Sequence, residues 1–286
     1  MDFEQEISSA LIKLAASVQV TGPICTASHR SYIVTGLADT DEQMTNLCLC
    51  LLGFIGGIFE VDLSIDSAIG TGAQASDNLI KILKKRLSID QTLTARQKER
   101  NRDPLVQELI SHTLVLIHQR KPLFPEWLAD IQSCRPPHLS ANDPGLDLIA
   151  VANEDGNPFP VIGEVKAYEK NPLGGFGTAC VKFTQVRQGE YNDEIREAIK
   201  KSLDINSQFT KQQLADNVWI TIGRFGALVG YDSNYRFDEN KPSTQSEVIA
   251  QDTKRLFFIS SPYNSMRVLF DTLVDYLVEL ANNLGQ

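Results

Sequence analysis

At 286 residues, with 42% hydrophobic and 22% charged composition, the chain is long enough for one large domain or two modest ones with a real core. The net charge of −9 counts against a nucleic-acid binder working alone with high affinity, because that affinity comes largely from Lys and Arg at phosphates. It leaves room for a local basic groove, or for a partner that delivers nucleic acid.

Residues 1–16 set Phe3, Ile7, Leu11 and Leu14 at helical spacing, which predicts an opening helix. Residues 31–37 read as a short strand. Asp39, Thr40, Asp41 and Glu42 then offer capping oxygens to an apolar helix. That apolar run, 47–59, is shorter than the ~20 residues a membrane span needs and holds Gly53, Gly56 and Gly57, so it reads as a buried helix ending near the glycines. Residues 59–65 alternate with period two and predict a strand. The small-residue stretch 70–76 is a turn before an amphipathic helix over about 77–87. Gly70-Thr71-Gly72-Ala73 lacks the Gly-Lys-Ser/Thr of a phosphate-binding loop, so a plain turn is the better reading.

The charged stretch 94–103 (TARQKERNRD) marks a boundary between an N-terminal α/β region, residues 1–95, with a partner-binding or regulatory role, and a second unit, residues 100–286; a solvated helix is the alternative. Pro104 suits a first helical position, and 105–119 follows as a strongly apolar helix. Pro122, Pro125, Pro136 and Pro137 punctuate a connecting region. Two apolar strand-like runs come next, Gly145-Leu146-Asp147-Leu148-Ile149-Ala150-Val151 and Val161-Ile162-Gly163-Glu164-Val165-Lys166-Ala167. A loop is expected around Gly174-Gly175-Phe176-Gly177, then a helix-compatible run over 182–203 interrupted by Gly189. Strands are expected at 218–222 and 255–260, and an amphipathic helix closes the chain over 264–284. This order of helix, strand, strand, helix and strand predicts an α/β (α+β) fold.

The chemistry sits in the paired strands. Strand side chains alternate faces, so Glu164 and Lys166 point one way and Val165 the other. Asp155-Gly156 is a hairpin signal, and an antiparallel pairing would bring Asp147 near the same point. Two carboxylates converging at a strand edge are the hard oxygen ligands that Mg²⁺ (or Mn²⁺) prefers, and a neighbouring Lys can hold or help deprotonate a water and offset charge on a phosphate.

Asp147 followed by Glu164-Val165-Lys166, behind an apolar helix, resembles the PD-(D/E)xK nuclease superfamily. The resemblance covers roughly residues 100–260; the family's Pro-Asp pair occurs only in reversed order, as Asp143-Pro144. It implies a restriction-endonuclease-like core sheet flanked by helices, and a first helix able to add a carboxylate, for which Glu108 is the natural candidate. More narrowly, G-x-D-x-I-A, a turn and G-E-x-K-A after an arginine-led apolar helix resemble the nuclease subunits of Hachiman-type bacterial antiviral defence systems. That resemblance implies a helicase partner and cleavage of DNA during infection, which would account for the acidic charge.

The expected function is therefore a cytoplasmic, Mg²⁺-dependent DNA endonuclease. Asp147 and Glu164 are its expected metal ligands, Glu108 a further ligand, and Lys166 its charge-stabilising residue. Two alternatives stand beside it: a self-sufficient restriction-type homodimer, and a non-catalytic nuclease-fold adaptor for a helicase. For Asp147, Glu164 and Lys166 the competing reading is a salt-bridged trio on a half-exposed sheet; for Glu108 it is a solvated helix face or a pair with a nearby Arg. Gln185, Gln188 and Tyr191 read as an ordinary amphipathic helix. His29, His112, His118 and His138 are scattered, and His112 and His118 fall on different helical faces, which argues against zinc. Arg30 and Arg224 have no place that sequence can assign. Lys182, Arg187, Arg196, Lys200 and Lys201 form a dense basic cluster whose default is a solvated face, with DNA contact second. Ser260-Ser261 and the five cysteines (Cys25, Cys48, Cys50, Cys134, Cys180) have no nucleophile or metal spacing, and their odd count with no leader segment predicts a reducing compartment.

Overall fold

The structure, a computed structural model, describes residues 3–56, 73–138, 144–203, 209, 211–235, 238 and 255–283. The strand expected at 59–65, the start of the turn before residue 73, and Asp143 lie outside the described residues.

Helix α1 (Phe3–Ser17) buries Ile7, Leu11 and Leu14, as its spacing predicts. Strands β1 (Gln19–Cys25) and β2 (Arg30–Thr35) follow. Helix α2 (Asp41–Ile55) opens on a capping box, in which Thr40 Oγ1 accepts from the Gln43 N–H and Gln43 Oε1 accepts from the Thr40 N–H. Helix α3 (Ala73–Leu87) is next. The 94–103 stretch is helical: α4 (Ala95–Gln97) and a π-helical turn (Lys98–Arg102) run directly into α5 (Asp103–Arg120), with Pro104 in its first turn. Then come α6 (Pro125–Leu128), β3 (Asp130–Cys134), β4 (Leu148–Glu154), β5 (Asn157–Ala167), α7 (Pro172–Gln188) and α8 (Asn192–Leu203). Helices α9 (Lys211–Ala215) and α10 (Trp219–Ile222), strands β6 (Arg224–Asp232) and β7 (Leu256–Tyr263), and helix α11 (Met266–Asn283) complete the described chain.

The strands form one seven-stranded mixed sheet in the order β1-β2-β7-β6-β5-β4-β3. Its centre, β2 to β5, is parallel, while β1 and the β4–β3 edge run antiparallel. Helices cover both faces, so the central strands are apolar nearly throughout. One face carries Val165, Leu228 and Ile259 into a core with Leu51, Leu109 and Phe270 from α2, α5 and α11. The other carries Ile162, Ala227 and Phe258 against Phe176, Phe183 and Ile195 from α7 and α8. Residues 1–95 and 100–286 contribute to the same sheet, since β2 pairs with β7. Ion pairs also join the 94–103 stretch to the closing helix. Lys98 Nζ and Arg102 Nη1 reach Asp271 Oδ1 at 2.8 and 2.6 Å, and Arg102 Nη2 reaches the buried Asp103 at 2.7 Å.

Two local expectations change. Residues 218–222 are not a strand: Val218 is the N-cap of the short helix α10, and the central strand β6 starts only at Arg224. Gly226 and Gly230 disguise β6, but a Cβ at Gly226 would enter the Trp127 ring, and one at Gly230 the Gln107 side chain. The 174–177 stretch is not a loop but the first turns of α7, which Asn171 caps by accepting from the Gly174 N–H at 3.0 Å. Gly175 is there because the helix lies close to the sheet: a Cβ would sit 3.0 Å from Val229 Cγ1. Strand β1 carries no clear alternation, and β3 is only five residues long. β1 is an exposed edge whose pairing shifts around Gly22-Pro23, where an edge tolerates the missing N–H.

Candidate active site

The hairpin expected from Asp155-Gly156 forms. Glu154 pairs with Asn157, and both turn residues take positive φ, 53° and 81°, as a two-residue type I′ turn requires. Pairing then runs back to Leu148 opposite Gly163. One residue beyond, the Asp147 carboxylate replaces the missing carbonyl partner: its Oδ2 accepts from the Val165 N–H at 2.6 Å.

Leu146 is held on both sides. Its N–H donates to Glu194 Oε1 at 3.0 Å, and its carbonyl accepts from Arg135, whose other nitrogen meets Glu194 Oε1 at 2.5 Å. Gly145 sits at φ +132°, and a Cβ there would lie 2.5 Å from Glu194 Oε1. Helix α8 therefore fixes the start of β4 through one carboxylate, and only glycine fits beneath it.

Lys166 Nζ donates to Glu164 Oε2 at 2.7 Å, to the Val165 carbonyl at 2.9 Å and to Asp147 Oδ2 at 3.3 Å. The trio is ion-paired, but it is not half-exposed: Glu164 is 3% exposed. Its second oxygen, Oε1, is buried with no hydrogen-bond partner. Burial, then the Asp147 carboxylate, raise the Glu164 carboxyl to about 7 despite the opposing Lys166 charge. Burial works against the Lys166 ammonium, but Asp147 and Glu164 outweigh it and hold its proton more firmly than usual. The cluster has two carboxylates to one ammonium, so it is short of positive charge in a low-dielectric place.

Helix α5 brings Glu108 to the same point. Glu108 is 4% exposed, so it is not on a solvated face, and its partners among the described residues are histidines. Its Oε1 accepts from the His138 backbone N–H at 2.7 Å and lies 3.1 Å from His138 Nδ1. That bond, ahead of opposing burial, raises the His138 imidazole. His138 Nδ1 is also 3.9 Å from Asp147 Oδ1. His112, one turn along α5, is lowered by burial and lies with Nε2 3.1 Å from the Asp147 carbonyl; a neutral ring protonated at Nε2 satisfies that contact.

Glu108, His138 and Asp147 each offer a ligand atom, all within 4.8 Å of one another. Glu164 stands outside this trio, joined to it through Lys166 and Asp147. Sequence brought Asp147, Glu108, Glu164 and Lys166 forward and missed His138, which follows Pro136-Pro137 in a connector without periodicity. A cavity of about 820 Å³ opens over Glu108, His138, Asp147 and Lys166 at the carboxyl end of β5, where the sheet changes from parallel to antiparallel. Its outer wall includes Arg96, Arg100 and Lys170.

Other candidates are engaged elsewhere. Arg30 pairs with Glu126, and Arg224 pairs with Glu154 and lies 3.9 Å over the Phe159 ring. Lys182 lies over the Tyr191 ring, Arg196 pairs with Asp193, and Lys201 pairs with Glu197. None of these lines the cavity. Among the described residues no helix is long and apolar enough to cross a membrane. No protein-family model, curated protein or solved structure matches the chain.

Proposed function

We propose that this chain is a Mg²⁺- or Mn²⁺-dependent DNA endonuclease of the PD-(D/E)xK type, with a restriction-endonuclease-like core. The observation that carries the reading is the junction of β4, β5 and α5. There Lys166 bridges Asp147 and Glu164, while His138 stands between Asp147 and Glu108 on the other side. The residues present fit a divalent cation. Their donors are mainly hard carboxylate oxygens, their charge is net negative, and one buried carboxylate oxygen has no partner. Asp147 and Glu108 would hold the ion, with His138 completing the group and Glu164 supplying its free oxygen. When bound, such an ion neutralises charge at a phosphodiester and makes a water more acidic.

The chain's own residues do the rest. Lys166 keeps its proton, which suits it to orient the water and offset charge on the phosphate rather than to act as a base. Asp147, tied through its Oδ2 to the Val165 N–H, keeps the site in register with the hairpin. His112, on the Asp147 carbonyl, and Arg135 with Glu194, on Leu146, stop that residue from turning away.

The net charge of −9 supports a reading in which a partner supplies the affinity for DNA; that the partner is a helicase, in an antiviral complex of the cytoplasm, is what the resemblance to the Hachiman-type subunits implies. Plasmid cleavage in Mg²⁺ or Mn²⁺, by the chain alone and with a helicase encoded beside it, tests the proposal. Cutting that is lost in Glu164→Ala and Lys166→Ala supports it. Biological activity unchanged in Glu164→Ala would mean an adaptor, not a nuclease.

A further inference from the structure

The cations of the 94–103 stretch are divided between two tasks. Lys98 and Arg102 point to α11, where Asp271 takes both and Asp103 takes Arg102 again. Arg96 and Arg100 point the other way. Both are exposed, both line the cavity over Asp147 and Lys166, and neither forms an ion pair among the described residues. Their backbone is not loose. The Thr94 capping box starts the segment, with Thr94 Oγ1 accepting from the Gln97 N–H at 3.3 Å, and the π-helical turn carries it into α5. The ion pairs to Asp271 fix the opposite face of the same turn. A third cation, Lys170, lies on the same cavity from the β5–α7 connection, only loosely engaged by Glu169 at 3.9 Å.

Uncommitted arginines need an explanation in a chain of net charge −9. Nearby, Arg267 spends its charge on Asp103 at 2.9 Å and Glu169 at 3.3 Å; at the other end of the sheet, Arg224 spends its charge on Glu154. At the mouth of the carboxylate site two guanidinium groups are held on a braced helical segment and left for an outside partner. Planar guanidinium forks match phosphate oxygens in pairs, whereas a lysine meets them as a point charge.

We propose that Arg96, Arg100 and Lys170 form a clamp for the phosphodiester backbone of a nucleic acid, gripping phosphates beside the one presented to Asp147 and Lys166. The clamp rests on the nuclease reading above and assigns it a path for the substrate. It reads no bases; it sets the register in which one phosphate reaches the site. Along α4 and the π-helical turn, Arg96 and Arg100 line the cavity while Lys98 and Arg102 are held to Asp271 on α11.

The test uses the full chain with Ca²⁺ in place of Mg²⁺, so that binding is read without cleavage. Fluorescein-labelled single-stranded DNA, duplex DNA and RNA of matched sequence are titrated over a range of salt. In Arg96→Ala/Arg100→Ala the slope of log affinity against log salt should fall by about 0.9 per lost duplex contact, and affinity by roughly tenfold or more near 0.1 M salt. Arg96→Glu/Arg100→Glu should lose more, and Lys170→Ala should lose one contact. The loss should be the same for every base sequence, and Mn²⁺ affinity measured by calorimetry should not change. An unchanged slope in the double variants, while the wild type binds and cuts, overturns the clamp and leaves the nuclease standing. A fall in Mn²⁺ affinity, or a loss confined to one base sequence, also overturns it. A wild type that neither binds nor cuts any of the three overturns both.

Discussion

Replacing Glu164 by Gln should make the metal-free protein more stable at neutral and alkaline pH, although it removes half of an ion pair. The reason lies in the balance at the buried cluster. Lys166 attracts the Glu164 carboxylate, but burial and the Asp147 carboxylate outweigh that attraction and raise the carboxyl from 4.5 to about 7. The folded chain therefore holds this proton more tightly than the unfolded chain does. The cost of ionising Glu164 is absent below about 4.5, grows as pH rises towards 7, and is complete above that. A shift of this size corresponds to about 3 kcal/mol. Gln stands in for the protonated acid and can still accept from Lys166. Urea unfolding in EDTA should find Glu164→Gln on the order of 3 kcal/mol more stable than wild type at pH 8, with the two curves converging near pH 5. Added Mn²⁺ should narrow the gap at pH 8, because only the wild type presents the anionic oxygen. A variant equal to or weaker than wild type at pH 8, or a difference independent of pH, would refute the argument that the cluster is short of positive charge.

Three further outcomes follow from the geometry. Removing Glu108, His138 or Asp147 as Ala should each weaken Mn²⁺ binding by roughly tenfold or more in calorimetry. Binding to the wild type should weaken as pH falls, because the Glu108 bond raises the His138 imidazole and a metal must displace that proton. Glu194→Ala releases the Leu146 N–H and Arg135, so cleavage should fall by roughly 10–100-fold, read as kcat in a plasmid assay, with a stability loss of about 1–3 kcal/mol from the unsatisfied buried N–H. Gly226→Val drives a side chain into the Trp127 ring in the middle of the sheet; it should cost about 3 kcal/mol or more in urea unfolding, with soluble yield reduced.

The paired strands were legible because local signals agreed. Asp155-Gly156 dictated the turn, the apolar runs fixed the strands, and alternation put Glu164 and Lys166 on one face. Asp147 needed the pairing register, which the turn length supplied. Glu108 was legible as a carboxylate on an apolar helix, though not as buried, because its partner His138 comes from a proline-broken connector with no period of its own. Strand β6 was hidden for a different reason. Its glycines look like breaks in sequence, and only the Trp127 ring and the Gln107 side chain show why side chains are missing there. The same holds for the start of α7, where Gly175 permits close contact with Val229 of β6. The charged stretch 94–103 reads by composition as a domain boundary or a solvated helix, yet alternate cations turn to opposite sides, a division that depends on where Asp271 lies.

The most direct test of the central claim is the single-turnover rate of plasmid cleavage by the chain, alone and with a candidate helicase. It should be compared between wild type, Glu164→Ala and Lys166→Ala in Mg²⁺, and for wild type in EDTA. The account predicts cleavage in Mg²⁺ that falls by about a hundredfold or more in each variant and stops in EDTA. Cleavage that survives both substitutions, or that does not depend on the metal, would contradict it.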